Sequence, residues 1–553
     1  MNIQKLNQQL KNFPEKIAIK FPKLHKVLSA WARLRPEYRF IILLLFLALI
    51  YQYPSILLKR PQSVHHWRQS DCASLALNYY QTGMHFFKPQ THNLTSDGNT
   101  TGYVATSEVP VGYYFIAILY KIFGYHDFIY RIINTLIFLF GLFFLFKTLT
   151  LLIKCFFWPA FLTLLFFTSP VLVYYGNNFL TDSSALAFAL IAWYFFIKYY
   201  QTGIQKTYYI SMLFFLLAGI YKITALMSLV SILGILIIEI LGISKFRNGE
   251  RLFPKPVLQA IPFFIIFAVI GSWVVYASHY NHVHGTGYFS TGTFPLWGLD
   301  SHEIDKILKN VRELWLKQYF RIESLYLMAL IFLANLLLIK KSNRLLITTT
   351  LFLFMGTIIY VILQFWTFRD HDYYTLNLYI LLILNVVTFA WVMNKHYNTI
   401  FNSKYLQIVF LLFFAMNVIH ARGEMRSRYY GWWTEHPDYK DYDKVTQYLR
   451  SIGIQPLDTV ICLPDMSHFT LYLMNQRGWT ECLGNDRDSA GIASNIKKGA
   501  KYLILNGNEI LSRGYIQSFL NHPVGQYGNI GIYKLDMLHS DNRGKRNAIY
   551  WKD

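Results

Sequence analysis

Long apolar runs recur along almost the whole chain, and they leave it few folds to choose from. A helical crossing of a bilayer needs roughly 20 mainly apolar residues, and about eleven stretches meet that requirement. They lie near 40–58, 127–146, 155–175, 183–200, 207–221, 223–243, 257–277, 324–339, 345–365, 373–393 and 405–420. Composition agrees: of 553 residues, 54% are hydrophobic, 18% aromatic and only 15% charged. That is too apolar and too weakly charged for a water-soluble domain, so the chain reads as a polytopic, all-α membrane protein. The run 207–243 is too long for one crossing and contains Lys222. A lysine at mid-bilayer is costly, so the expected break falls there.

The basic residues give an orientation, because Lys and Arg accumulate in short cytoplasmic connections. Lys5, Lys11, Lys16, Lys20, Lys23, Lys26, Arg33, Arg35 and Arg39 precede the first run. Later connections add Lys147 with Lys154, Lys198 with Lys206, Lys245 with Arg247, Arg251 and Lys255, and Lys340 with Lys341 and Arg344. All of these fall on one side, which is expected to be cytoplasmic, and an odd number of crossings puts the tail outside. The net charge of +22 then reflects topology and attraction to anionic lipid head groups. No nucleic-acid-binding motif is present to claim it. The first run lacks a following small-residue cleavage site, so it is expected to remain as an anchor.

Three parts follow: a basic cytoplasmic lead, 1–39; a membrane body, 40–420; and an extracytoplasmic module, 421–553. In the last part Val460–Leu463 and Tyr502–Leu505 read as buried strands, while Tyr442–Ser451 and Ile510–Leu520 read as helices. That alternation predicts a small α/β domain. Cys462 and Cys482 both lie in it, and either a disulfide or two buried thiols fits the sequence.

The first outer loop, 59–126, is longer than a connection needs, and loops of that length are usually functional or disordered. Its aromatic and apolar content argues against disorder. Two surface-lying helices are expected, Ala73–Tyr80 and Val111–Gly124, carrying Asp71 and Glu108 toward a cavity at the bilayer edge. The breaks holding Asp182, Lys222 and Arg369-Asp370-His371-Asp372 map to the same side. A second connection, 279–323, holds His282, His284 and several glycines. After them comes Asp305–Arg321, an amphipathic basic run suited to the membrane interface. Asn93-Leu94-Thr95 and Asn99-Thr100-Thr101 match the N-glycosylation pattern.

Several short motifs occur in order along 40–395: Trp67-Arg68-Gln69-Ser70-Asp71, Tyr79–Gly83, Phe86–Pro89, Glu108-Val109-Pro110 with Tyr113-Tyr114, Phe123-Gly124 with Arg131, Asn177–Asp182, Gly219–Thr224 and His371–Tyr374. In this the chain resembles the GT-C superfamily of membrane glycosyltransferases, in particular the polyprenyl-phosphate-sugar-dependent transferases related to protein O-mannosyltransferases and the aminoarabinose transferases of lipid A. The resemblance implies a GT-C fold and transfer of a sugar from a lipid-phosphate donor to a glycan, lipid or protein acceptor at the outer face. Family members often carry Lys after the loop glutamate. Here Val109 stands there, which leaves phosphate contacts to Lys222 and Arg369.

Such a transfer needs a base for the acceptor hydroxyl and cations for the departing phosphate. Phosphate leaves well without a proton donor, unlike the leaving group of glycoside hydrolases. Asp71 is the expected base. Glu108 and Asp182 are expected to orient it or to bind hydroxyls, the alternative being helix capping. Lys222, Arg369, His371 and Tyr373 are expected at the donor phosphate, although Lys222 could instead reach the interface from a structural position. Trp67, Arg68, Gln69 and Tyr113 are expected to line the substrate site. A divalent cation (magnesium, manganese or zinc) is left open, because His65, His66, Asp71, Glu108 and His371 show no tight metal spacing. The rival reading is a transporter or flippase of lipid-linked saccharides. That would put ionisable groups at mid-bilayer within paired repeats, and no repeat is evident.

Overall fold

The computed structural model describes residues 22–97, 100–247, 249–289, 292–430, 437–482 and 487–535. The first 21 residues of the expected basic lead, and the sequon residue Asn99, therefore lie outside the described residues. Among those described, seven helices are long and apolar enough to cross a membrane. They are Asp127–Leu152, Asp182–Thr202, Ile223–Ile240, Pro256–Val283, Arg344–Leu363, Asp372–His396 and Lys404–Tyr430. Ser301–Tyr319 and Ile322–Leu337, bent by 89° between them, would make an eighth as one broken span. The protein is an integral membrane protein with a mostly helical body and a small terminal sheet.

The other apolar runs are interrupted by their own residues. The run 155–175 divides into Phe157–Phe166 and Pro170–Tyr175, where Pro170 opens the second helix and the Ser169 hydroxyl accepts from Leu172 N–H. The first run ends as Pro36–Ile50, and Gln52 adopts a left-handed conformation before the short helix Tyr53–Leu57. The break expected at Lys222 is present. Gln205–Tyr221 stops there, Lys222 is extended, and Ile223–Leu226 forms a 3-10 turn leading into Met227–Ile240.

Helix Asp127–Leu152 packs against Asp182–Thr202 so closely that a Cβ on Gly141 would lie 2.5 Å from the Ala187 backbone. Small residues allow that approach where no hydrophobic force drives helices together. The terminal domain holds one five-stranded sheet: β1 Thr459–Leu463, β2 Arg477–Trp479, β3 Tyr502–Asn506, β4 Pro523–Tyr527 and β5 Ile530–Lys534. Its order is β2-β1-β3-β5-β4, with β1 parallel to β2 and β3, and β5 antiparallel to β3 and β4. The expected helix at Ile510–Leu520 is replaced by Asn508–Leu511 and a 3-10 turn, Gly514–Phe519.

Alternation along β1 and β3 sends their side chains into two different cores. Ile461, Leu463, Leu503 and Leu505 meet Ile492 and Ile496 of the helix Ser489–Lys497. Val460, Cys462 and Ile504 instead share a core with Cys72, Leu75 and Tyr79 of the first outer loop, and with Tyr113 and Ile116. That loop forms two helices as expected, His66–Gln81 and Val111–Phe123. The first does not lie with one face in solvent, because every residue from Gln69 to Tyr79 is buried. The domain is tied down further by Arg60, which bonds Asp127 Oδ2 at 3.0 Å and the Leu473 carbonyl at 3.0 Å. The last membrane helix continues to Tyr430, so the boundary expected at 421 falls inside it.

Candidate active site

Helix Gln205–Tyr221 ends with carbonyls that have no partner inside the helix. One of them, Ile220, accepts from the Val109 N–H at 3.1 Å, and the Thr106 hydroxyl donates to the Glu108 carbonyl at 3.0 Å. These bonds hold Glu108 over the break. Lys222 Nζ lies 2.7 Å from Glu108 Oε1 and 3.5 Å from Asp182 Oδ1, and Arg68 Nη2 reaches the same Glu108 oxygen at 3.1 Å. Glu108 and Asp182 are only 2% and 1% exposed. Burial works to raise the Glu108 carboxyl, but Lys222 and Arg68 outweigh it and hold the group at about 2.

A single buried charge here would be costly, whereas two acids interleaved with two cations satisfy one another. Asp182 begins the helix Asp182–Thr202, yet it contacts Lys222 rather than its own first turn. Neither acid is a helix cap, and the Lys222 ammonium is buried against both carboxylates. Three polar atoms of this cluster, Arg68 Nη1, Glu108 Oε2 and Asp182 Oδ1, are buried without a hydrogen-bond partner. Buried groups of that kind usually await a partner.

Asp71 lies three residues along the same helix from Arg68, so both present to one face. Its Oδ1 accepts from His468 Nε2 at 2.7 Å, and its Oδ2 accepts from the Tyr288 hydroxyl at 3.1 Å. His468 comes from the terminal domain, where Asp465 shapes its turn. One Asp465 oxygen takes the Ser467 N–H and hydroxyl at 2.8 and 2.6 Å; the other takes the Thr470 N–H and hydroxyl at 3.1 and 2.6 Å. Burial works against a charged His468, but the Asp71 carboxylate outweighs it and lifts the imidazole to about 10. Beside Tyr288, the Phe289 ring lies 5.0 Å from the Arg68 guanidinium. One short loop thus touches both carboxylate centres.

A third cluster surrounds Asp372. It accepts from the Tyr175 hydroxyl and from Arg428 Nη2, both at 2.6 Å, and His65 Nε2 lies at 3.3 Å. Asp372 and Arg428 are fully buried, so this pair anchors the last membrane helix. His371 stacks on His65 with ring centres 5.5 Å apart, and burial lowers it to about 4. Tyr373 meets His65 edge-on at 5.1 Å, and the Tyr374 ring lies 5.5 Å from Lys222 Nζ. Arg369 bonds its neighbour Asp370 at 2.6 Å and lies over Trp366.

The remaining expected residues separate by role. Gln69 donates to the Gln62 and Val64 carbonyls and to the Tyr174 hydroxyl, which fixes the chain before the helix. Tyr113 is buried in the shared core, its hydroxyl 3.7 Å from Cys72 Sγ. Trp67 is exposed. Asn93 is buried, which does not suit a glycosylation acceptor. Cys72, Cys155 and Cys462 are free thiols, so no disulfide joins Cys462 to Cys482. Among the described residues no three His, Cys, Asp or Glu side chains converge as a metal set. His468, Tyr288, Arg428 and Tyr175 were not anticipated.

Fold and site together define a polytopic, mostly helical membrane protein with a small terminal sheet and a cluster of buried charges at a break between helices. Residues 107–273 match the family model described as dolichyl-phosphate-mannose-protein mannosyltransferase. In structure the chain is similar to ArnT from Cupriavidus metallidurans in the apo state, with TM-score 0.56 and 10% identity, covering 89% of this chain and 97% of that one. It is also similar to the Archaeoglobus fulgidus oligosaccharyltransferase in the apo form, with TM-score 0.51, 12% identity, and 91% and 75% covered. A third likeness is to the arabinofuranosyltransferase AftD from Mycobacteria, with TM-score 0.53, 13% identity, and 91% and 42% covered. No curated protein matches the chain by sequence.

Proposed function

We propose that this protein is a glycosyltransferase that moves one hexosyl or pentosyl unit from a polyprenyl-phosphate carrier to a hydroxyl on a glycan, lipid or protein. The carrying observation is that the Arg68–Glu108–Lys222–Asp182 cluster, with Arg68 Nη1 unpartnered, adjoins Asp71 on one helix face. The GT-C architecture supports this over a transporter, as do ArnT bound to undecaprenyl phosphate and the mannosyltransferase description of the matching family model. The Lys and Arg distribution supports a cytoplasmic N-terminus, with the site and terminal domain outside.

In this reading the acceptor oxygen bonds to the anomeric carbon while its proton passes to Asp71. The bond from that carbon to the phosphate oxygen breaks, and its electron pair stays on the lipid phosphate. Arg68 and Lys222 stabilise that charge in a water-poor site, with His371 and Tyr373 beside them. A single displacement of this kind inverts the anomeric centre. The test supplies the purified protein with radiolabelled polyprenyl-phosphate sugars. Release of lipid phosphate with label on an acceptor is expected; movement of intact donor across vesicles without cleavage would overturn the reading.

A further inference from the structure

The base expected from the sequence belongs to the membrane body, yet its closest hydrogen-bond partner belongs to the terminal domain. We infer that His468 is a positioning residue for Asp71: it fixes the orientation of the carboxylate, so the base is complete only with the terminal domain docked. This rests on the function proposed above.

Geometry carries the inference. Asp71 and His468 are both buried and 2.7 Å apart. A carboxylate can only accept, so Nε2–H donates. This occupies Oδ1 and leaves Oδ2 for a hydroxyl, and the Tyr288 phenol now sits there at 3.1 Å. That phenol marks where an acceptor hydroxyl can meet the base. The groups facing His468 are Asp71, the Tyr288 hydroxyl and the Cys482 thiol, and the His66 and His92 imidazoles are near enough to feel its charge. The two Asp465 oxygens are taken by Ser467 and Thr470. His66 contacts the Ser63 carbonyl, and His92 contacts Ser74 and Asn475. Asp71 is thus the carboxylate that His468 engages among the described residues.

Docking alone does not call for this pair. Arg60 on Asp127 and Leu473, His92 on Asn475, and the shared apolar core already fasten the domain. The turn built by Asp465 has a different effect: it aims one imidazole at the base.

The experiment compares wild type, His468→Asn and His468→Ala in lipid-phosphate release across pH, with His92→Gln as a control for loosened docking. Asn keeps an N–H donor without the charge. It is expected to lower kcat by about 10-fold or more, leave the donor KM unchanged, and remove the alkaline limb that loss of the His468 proton gives the wild-type profile. Added imidazole should restore part of the His468→Ala activity. His92→Gln should lower the melting temperature with no change in the profile. A His468→Asn rate within about twofold of wild type and an unmoved profile would overturn the inference alone, as would loss of the melting transition in every His468 variant. A wild type that releases no lipid phosphate would remove the proposed function and the inference together.

Discussion

Asp71 and Glu108 begin alike, as acids on one outer loop, and end in opposite surroundings. Glu108 is met by two cations of the membrane body, Arg68 and Lys222, and shares Lys222 with Asp182. Asp71 is met by an imidazole and a phenol, from the terminal domain and a distant loop. The first carboxylate is locked among charges that do not change near neutral pH. The second meets one cation, the His468 imidazole, and a neutral phenol whose place an acceptor hydroxyl can take. A base must be able to meet the acceptor hydroxyl, so the proposed function gives the chemistry to Asp71 and the scaffold of charge to Glu108.

The strongest way to break that contrast is to remove each acid. Asp71→Asn is expected to lower kcat by about 10³-fold, the usual scale for a general base, while donor binding stays intact. Glu108→Gln should weaken stability and donor affinity more than the chemical step. If the Glu108 variant lost kcat at unchanged donor KM and the Asp71 variant did not, the roles would be reversed.

Lys222 tests the scaffold side. Lys222→Gln leaves two buried acids facing one another with only Arg68 nearby. Removing one partner of a buried pair costs about 3–5 kcal/mol, which should appear as a large fall in the melting temperature in detergent. Combining Lys222→Met with Glu108→Gln and Asp182→Asn removes the stranded charges as well and should recover much of that loss, though not activity.

The contrast also explains what the sequence could disclose. Lys222 was legible because a lysine inside an apolar run has few places to go, and the acids near it had to lie where the run breaks. The two helices of the first loop followed from its length and apolar content. His468 was not legible. It is separated from Asp71 by 397 positions, and a lone histidine after Asp465-Met466-Ser467 looks like any turn. The one signal was the Asp-x-Ser-x-x-Thr spacing, which makes a rigid turn but does not say what it is aimed at. Tyr288 sits in a glycine-rich stretch with no periodicity, and the β4–β5 hairpin, with Gly525, Gly528 and Gly531, lacks the alternation that reveals strands.

Titration separates the two centres with a smaller effect. The Glu108 carboxyl is held at about 2 in the folded protein, below the unfolded value of about 4.3. Its contribution is therefore complete above about pH 4.3 and lost only as pH falls toward 2. His468 runs the other way: it is raised from 6.5 to about 10, so its contribution is complete below 6.5 and fades as pH rises toward 10. Melting temperature measured over that alkaline interval should fall in wild type and fall less in His468→Asn. Equal slopes would mean that His468 does not carry the charge assigned to it.

The smallest effect expected comes from the cysteines, and it bears on how the terminal domain holds its shape. Cys462 and Cys482 are buried and not joined by a disulfide, and Cys462 Sγ lies 3.2 Å from the Tyr442 hydroxyl inside the apolar core. Burial pushes its thiol up to about 12, which disfavours the thiolate that oxidation and disulfide exchange require. A disulfide closing this loop would contribute about 2–4 kcal/mol and make the melting temperature sensitive to reductant. Instead, dithiothreitol should leave it unchanged, and Cys482→Ser should cost far less than Lys222→Gln. A reductant-dependent transition would show that the domain orienting His468 is held by a covalent tie rather than by the core it shares with the first outer loop.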